Sequence, residues 1–494
     1  MRIPHRKQQY FGSPPVTQVV LNANCRDRMI PILRGLQHIY SQPELRQQAL
    51  DLIAKDVLAD ADPDRGRPGL TLWQILVLAS VRLGCDFTYD HLQDLAENHK
   101  NLRDIMQVMS DWEDESFDFR RIRENICQVR PETIEAINHL IVAEGHRLDP
   151  SAAEAVRGDS FVAETNIHYP TESSLMLDGL RKILTLAPEL AGLLGLFGWR
   201  QSSSLWRKAK KAGRAIGRIK KDSSDYEVRL QKGYGELLRI SEMVLSRTQE
   251  LLDEAFQNVP HNVSGIMGPA EATALLEELV YWHAATTHVC NTAWRRVMGG
   301  ETVPNDDKLF SLFEPDTELI KRGKASRPIE YGHKVLVIED ASGFICHYKI
   351  LPLATDDRDI LIPEFKSLCD RLDGRIQSAS FDRGFHSPEN QEQLAQLIAH
   401  PCLPKPGAKQ AAEQAAQSSV QFRQARQRHP GIESAIGALQ SGNALAKCRD
   451  HGQLGYARYI GLGVLGRNLL VLGKLLLAQE QPDCLAAASL RDAA

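Results

Sequence analysis

The chain is notable first for what it does without. It has no Cys-x-x-Cys pair, and its nine cysteines (25, 85, 127, 290, 346, 369, 402, 448 and 484) are scattered and odd in number. That pattern predicts free thiols in a reducing cytoplasm, not a disulfide framework or a zinc site. No apolar run opens the chain: MRIPHRKQQYFGSPPV carries charge throughout, so no secretory leader is expected. The best membrane candidate, residues 459–478, is cut by Arg467 and Lys474 into pieces shorter than the ~18 uncharged residues a span needs, and reads as a buried helix. Charge of one sign is lacking too. With 59 basic and 63 acidic side chains the net charge is −4, so any nucleic-acid surface must be local. G-x-x-x-x-G-K-[ST] is missing, which excludes a P-loop ATP hydrolase, and none of the 16 histidines opens an H-x-x-R pair. GLGVLG (461–466) formally matches a dinucleotide-binding fingerprint, but its surroundings are helical and too little chain follows for the rest of that unit. Its glycines suit close helix packing instead. His283, His288 and Cys290 are near in sequence, yet a five-residue step does not align the histidines on one helix face.

What is present is enough for about two to four globular domains. Residues 1–42 read as an N-terminal arm and 43–150 as a helical N-terminal domain. Within the latter, TLWQILVLASVRLG and TYDHLQDLAENH outline a possible helix-turn-helix, although short helix pairs also pack this way in any bundle. The acidic stretch DWEDESFD (111–118) reads as a solvated loop feeding a helix N-terminus. Residues 151–173 hold a first strand, 174–325 are a helical block, and 326–480 alternate strand and helix. In that last segment HKVLVIED and FICHYKILPL flank a Gly-containing turn and predict a β-hairpin. A small polar linker, GAKQAAEQAAQSSVQ, precedes a helix near Gly431 and a long C-terminal helix; residues 481–494 read as a flexible tail. The simplest description is an α/β mixed sheet with a large helical insertion after its first strand.

Two strand-like runs carry a carboxylate that packing does not require: VRGDSFVAE at Asp159 and IQSASFDRGF at Asp382. Glu433, near the start of a helix, offers a third. Carboxylates at the edge of a mixed sheet can converge on hard cations. Two aspartates on strands plus one helical acid predict a site for two Mg²⁺ ions (Mn²⁺ substituting) of the kind that serves in-line phosphoryl displacement.

The runs GDSFVAETNIHYPTESSLMLDGLRKI, FEPDTELIKRGKASRPIEYGHKV, FDRGFHS and GIESAIGALQSGNALAKCRDHG, taken in order, resemble the DDE transposases of bacterial insertion sequences, specifically the ISNCY-type group. RPGLTLWQILVLASVRLG resembles their N-terminal helical domain, so the resemblance spans about residues 45–475. It implies a ribonuclease H-like catalytic core interrupted by the helical insertion, with Asp159, Asp382 and Glu433 as catalytic and metal-ligating residues. It also implies cleavage at element ends, transfer of a 3′-hydroxyl into target DNA, and at least two protomers acting on terminal inverted repeats. No membrane and no nucleotide cofactor are expected. Related enzymes often carry a lysine seven residues after the glutamate and an arginine four before it; here these are Gln440 and His429. A catalytically idle DNA-binding protein of the same fold and a stand-alone nuclease are the alternatives.

DNA contact is expected at two places. LWRKAKKAGRAIGRIKK (205–221) has eight basic residues and no acid: Arg207, Lys208, Lys210, Lys211, Arg214, Arg218, Lys220 and Lys221. Arg207, Lys211, Arg214, Arg218 and Lys221 recur at helical steps and predict a basic stripe, which could be a DNA surface or merely a solvated face. Around Glu433, Arg423, Arg426, Arg428, Lys447 and Arg449 could position a phosphate backbone.

Overall fold

The computed structural model describes residues 2–6, 14–58, 69–108, 116–262, 268–321, 328–407, 414 and 417–480. The flexible tail expected at 481–494 and most of the acidic stretch 111–118 and of the linker 407–421 lie outside them. The chain divides into two compact units, one formed by 1–166 with 332–494 and the other by Ile167–Tyr331.

In the first unit, helices α1 (Met29–Ser41), α2 (Pro43–Val57), α3 (Leu72–Gly84), α4 (Tyr89–Asn98), α5 (Lys100–Ile105), α6 (Phe119–Gln128) and α7 (Pro131–Leu148) precede strand β1 (Ala155–Glu164). Side chains cap several of them. Thr71 and Gln74 form a reciprocal capping box on α3, Thr88 caps α4, and Asp118 accepts from the Arg120 N–H at the start of α6. The second unit holds α8 (Glu172–Leu193), α9 (Ser202–Gly217), α10 (Tyr226–Asn262), α11 (Gly268–Ala293) and β2 (Glu318–Lys321) around its own core. The chain then continues through β3 (Ile329–Asp340), β4 (Ile345–Ile350), α12 (Asp357–Arg371), β5 (Ser378–Phe381), α13 (Pro388–Leu397), β6 (His400–Cys402), α14 (Val420–Arg428), α15 (Gly431–Gly442) and α16 (Gly452–Glu480).

The strands form one mixed six-stranded sheet in the order β2-β3-β1-β5-β6, with β4 also on β3. β3 runs antiparallel to β1 and β4 antiparallel to β3, whereas β5 is parallel to β1 and β6 to β5. The hairpin falls where the alternation predicts it. Its tip is pinned by buried Asp340, whose Oδ1 accepts from the Ser342 and Phe344 N–H groups while Oδ2 meets His146 Nε2 at 2.8 Å.

Two domain expectations are corrected. Residues 29–41 are a buried helix and not part of an arm; the Asp27 carboxylate accepts the Met29 N–H at its start, and α1 packs on α16. Nor do the N-terminal helices form a separate domain. The C-terminal helix α16 packs on α1, α3 and α7, so one continuous hydrophobic core includes Val16, Trp73, Leu336 and Leu472. The helix-turn-helix reading loses its DNA role as well. Every residue of α3 is buried, and the exposed positions of α4 include Asp90, His91, Asp94 and Asn98, a face that repels phosphate.

Helix α16 is the one described helix long and apolar enough to cross a membrane, and it lies mostly buried among these elements. Its glycines permit close approach. A Cβ on Gly466 would stand 2.4 Å from the Gly84 Cα, and one on Gly473 only 1.7 Å from the Pro31 carbonyl oxygen. All eight described cysteines are free thiols.

Gly473→Ala is therefore expected to force α1 and α16 apart and cost about 1–3 kcal/mol. Gly437→Ala, inside α15 with nothing within 4 Å of the new Cβ, should be neutral or gain up to about 1 kcal/mol. Urea midpoints of the two variants check the contrast; equal midpoints would refute the packing argument.

Candidate active site

β1 presents alternate residues to opposite faces of the sheet. Gly158 lies on the face packed by apolar side chains: a Cβ there would sit 2.5 Å from the Phe381 ring and 3.2 Å from Ile338. Arg157 and Asp159 lie on the other face. The parallel register pairs Ala155 with Ser378, Val156 with Ala379, Arg157 with Ser380 and Gly158 with Phe381. Asp159 and Asp382 each follow directly after the last pair of that ladder, Gly158 with Phe381. Asp382 keeps extended backbone (φ −77°, ψ 169°) as the chain leaves β5. The β1–β5 pairing thus ends immediately before both acids.

Arg157 organises the ground beside them. Its Nη2 stands 2.6 Å from Glu339 Oε2 on β3, and its Nη1 donates to the Arg428 carbonyl at 2.9 Å. The guanidinium lies against Gly431, where a Cβ would be 1.9 Å from Nη1. Nine residues along the same helix, Gln440 Nε2 donates to the Val162 carbonyl at 3.4 Å. Helix α15 is thereby tied to β1 at Arg157 and Val162, with Asp159 between these ties on the strand and Glu433 between them on the helix. Gln440 thus has a backbone-anchoring role.

Glu433 occupies the first turn of α15 with its side chain exposed. Among the described residues no group of three or more His, Cys, Asp or Glu side chains converges on a metal site. The three-acid, two-ion arrangement expected from the sequence is not seen as a converged group among the described residues. Asp382 and Glu433 are both exposed. Mg²⁺ binds through one or two carboxylates and fills its shell with water and phosphate oxygens, so the aspartate pair fits one such ion.

The cations behave differently from one another. Arg426 Nη1 stands 3.9 Å from Asp382 Oδ1 and has no hydrogen-bond partner, a loose pairing that leaves the half-exposed carboxylate accessible. Arg423 and Arg428 are exposed on α14, and Lys447 is exposed where its backbone bridges to Glu164 at the end of β1. Arg449 is not available: its Nη2 pairs with Asp86 at 2.8 Å and its Nε donates to the Tyr459 hydroxyl at 3.0 Å, tying α16 to the turn before α4. His429, which sequence comparison noted only as a departure, is buried with Nδ1 3.2 Å from Ser380 Oγ. Burial holds its pKa below the ordinary histidine value, and nearby Arg426 and Arg157 push the same way against Asp382.

In the second unit, α9 buries Leu205, Ala209, Ala212 and Ile216 and exposes Arg207, Lys208, Lys211 and Arg214. None of the eight basic residues pairs with a described acid; Lys210 Nζ instead sits 5.2 Å over the Trp206 ring. The stripe is shorter than its periodicity suggests. The helix stops at Gly217, so Arg218 is its C-cap and Lys220 and Lys221 lie beyond it.

Comparison of the chain with protein-family models, curated proteins and solved structures yields no match.

The His429 geometry has a pH signature. Because its folded-state pKa is depressed, its contribution to stability is complete above about pH 6.5 and is lost as pH falls through the lower folded value. His429→Gln should lose less stability than the parent chain between pH 7.5 and pH 5, read as the difference in urea midpoints; identical losses would remove His429 from the account.

Proposed function

We propose that this chain is a DDE-type DNA transposase with a ribonuclease H-like core, cutting insertion-sequence ends and joining the exposed 3′-hydroxyl to target DNA. The observation that carries the reading is the parallel β1–β5 register, whose last pair, Gly158 with Phe381, comes immediately before Asp159 and Asp382. Further support comes from the strand order, in which the first strand is central between an antiparallel hairpin and two parallel strands. The acid-bearing helix α15 running along β1, and a separate helical unit entered directly after the first strand, add to it.

On this reading Asp159 and Asp382 hold a divalent cation, Mg²⁺ or Mn²⁺, with Glu433 as the third acid. When bound, such ions neutralise phosphoryl charge and favour deprotonation of a water or 3′-hydroxyl. The chain's own groups do the rest. Arg423, Arg426, Arg428 and Lys447 fix the phosphodiester backbone of the strand to be cut. Arg157 keeps β1 and the α14–α15 corner in one geometry. The loose Arg426 contact lets Asp382 exchange a guanidinium for a metal ion and its phosphate. Each bond is exchanged directly, so no covalent protein–DNA intermediate and no nucleotide cofactor are required. The α9 stripe contacts duplex backbone, and a pair of protomers handles the two ends of the element in the cytoplasm.

A second reading, a DNA-binding protein of the same fold without catalysis, is favoured by the missing three-acid convergence among the described residues and by Gln440 anchoring backbone. One experiment separates the two. Purified chain and Mg²⁺ are given a plasmid carrying the inverted repeats that flank the gene. Nicking is expected from the parent chain, and Asp382→Asn should retain repeat binding while losing at least about 10²-fold in nicking rate. A parent chain that binds but never nicks supports the idle protein; a variant that nicks normally sinks the site assignment.

The stripe has its own test. Lys211→Ala with Arg214→Ala should weaken binding to any duplex and flatten the log K against log[salt] slope by about 0.9 per lost phosphate contact. An unchanged slope would leave α9 as a solvated face.

A further inference from the structure

Apart from the acid pair, the first unit contains a cavity of about 1150 Å³ between the segment before α1, the end of α15 and the last turns of α16. Its charged lining is one-sided. Arg28, Arg467 and Lys474 converge on it and Arg26 stands at the rim, whereas the single acid lining it is Asp27. Asp27 is already engaged, its Oδ1 accepting the Met29 N–H at 2.9 Å at the start of α1. Arg467 Nη2 lies 3.5 Å from Glu339 Oε1, but that carboxylate is shared with Arg157, and Arg467 Nε is buried with no hydrogen-bond partner. Lys474 makes no hydrogen bond or ion pair to a described residue. Arg28 lies flat on α15: a Cβ on Gly442 would stand 1.9 Å from its Nη1, and its Nη2 is 3.4 Å from Asn443 Oδ1. The remaining wall, with half-buried Leu475 and Leu477, is apolar.

Three cations around one space repel each other, and burial compounds this. The Lys474 ammonium is held below its ordinary pKa by burial and then by Arg467 and Arg28, and the Arg28 guanidinium is lowered by burial and Arg467. A multi-oxygen anion relieves that repulsion and gives Arg467 Nε an acceptor, and two guanidinium groups beside an ammonium suit phosphoryl oxygens. A DNA backbone would leave the apolar wall unused. A compact molecule with a phosphoryl end and an apolar or planar body uses both walls, and the volume suffices for one of nucleotide size.

We propose that this cavity binds a small phosphorylated molecule, with its phosphoryl group on Arg28, Arg467 and Lys474 and its body against Leu475 and Leu477. Since Arg28 also rests on the end of α15, the occupant steadies the helix that carries Glu433 and acts as a regulator of the acid-bearing corner.

Calorimetric titration of the full chain with ATP and with tripolyphosphate, in EDTA, tests this without involving the aspartate pair, so its outcome is separable from that of the nicking assay. Saturable binding of ATP is expected, tighter than that of tripolyphosphate. Lys474→Ala, which removes a side chain with no ion pair to a described residue, should weaken ATP binding about tenfold, with Arg28→Ala at least matching it. No saturable binding of either probe, or an unchanged Kd in Lys474→Ala, overturns the proposal. So does a duplex oligonucleotide that displaces ATP and itself loses affinity tenfold in Lys474→Ala, because the cavity would then belong to a DNA surface. A duplex that binds without displacing ATP upholds it.

Discussion

The arrangement at the candidate site depends on how β1 and β5 are held in step. Strand pairing alone tolerates slippage, and a slip of one residue turns every side chain to the opposite face. Here Gly158 is the lock. Its missing Cβ makes room for the Phe381 ring, which also packs edge-on to Phe365 at 5.7 Å and tilted against Phe385 at 5.6 Å. Shifted by one, the Phe381 ring would meet a strand position bearing a side chain, and Asp382 would face an apolar layer. The large aromatic and the small neighbour together dictate which carboxylates share an edge.

The same logic explains why the charged residues nearby are so unequal. Arg157 and Arg449 are fully engaged in fastening backbone and acids from distant segments, and they act as braces. Arg426 holds Asp382 only at 3.9 Å, and Arg423, Arg428 and Lys447 stand in solvent. Buried His429 completes the corner as a neutral group where a further cation would add to an already positive neighbourhood. The positive surface left open is therefore local, in keeping with a chain whose overall charge is −4.

Much of this was legible in the residues because it is local. Alternation marks β1, β3 and β4, the Gly-containing turn marks the hairpin, and the misplaced carboxylates in VRGDSFVAE and IQSASFDRGF stand out against their strands. What escaped is non-local. MIPILRGLQHIYS becomes helix α1 only because α16 covers it, and four-residue β2 has too few positions to show a period. Arg449 looked like a phosphate contact since its partner Asp86 is 363 positions away. The convergence of Arg28, Arg467 and Lys474 was invisible for the same reason. Helix α9 ended earlier than its basic periodicity, because Gly217 stops it while lysines continue.

The β1–β3 ladder ends with Glu164 facing Gly332, next to the positions at which the two units divide. Gly332 is obligatory there, since a Cβ would be 2.1 Å from the Ala163 carbonyl oxygen. Residues 167–331 thus begin and end next to facing positions of one strand pair, as a cassette does. Whatever lengthening, trimming or wholesale exchange evolution imposes on that cassette, the ladder beneath it need not be rethreaded. The scaffold can keep its chemistry constant while its appendage is free to diversify.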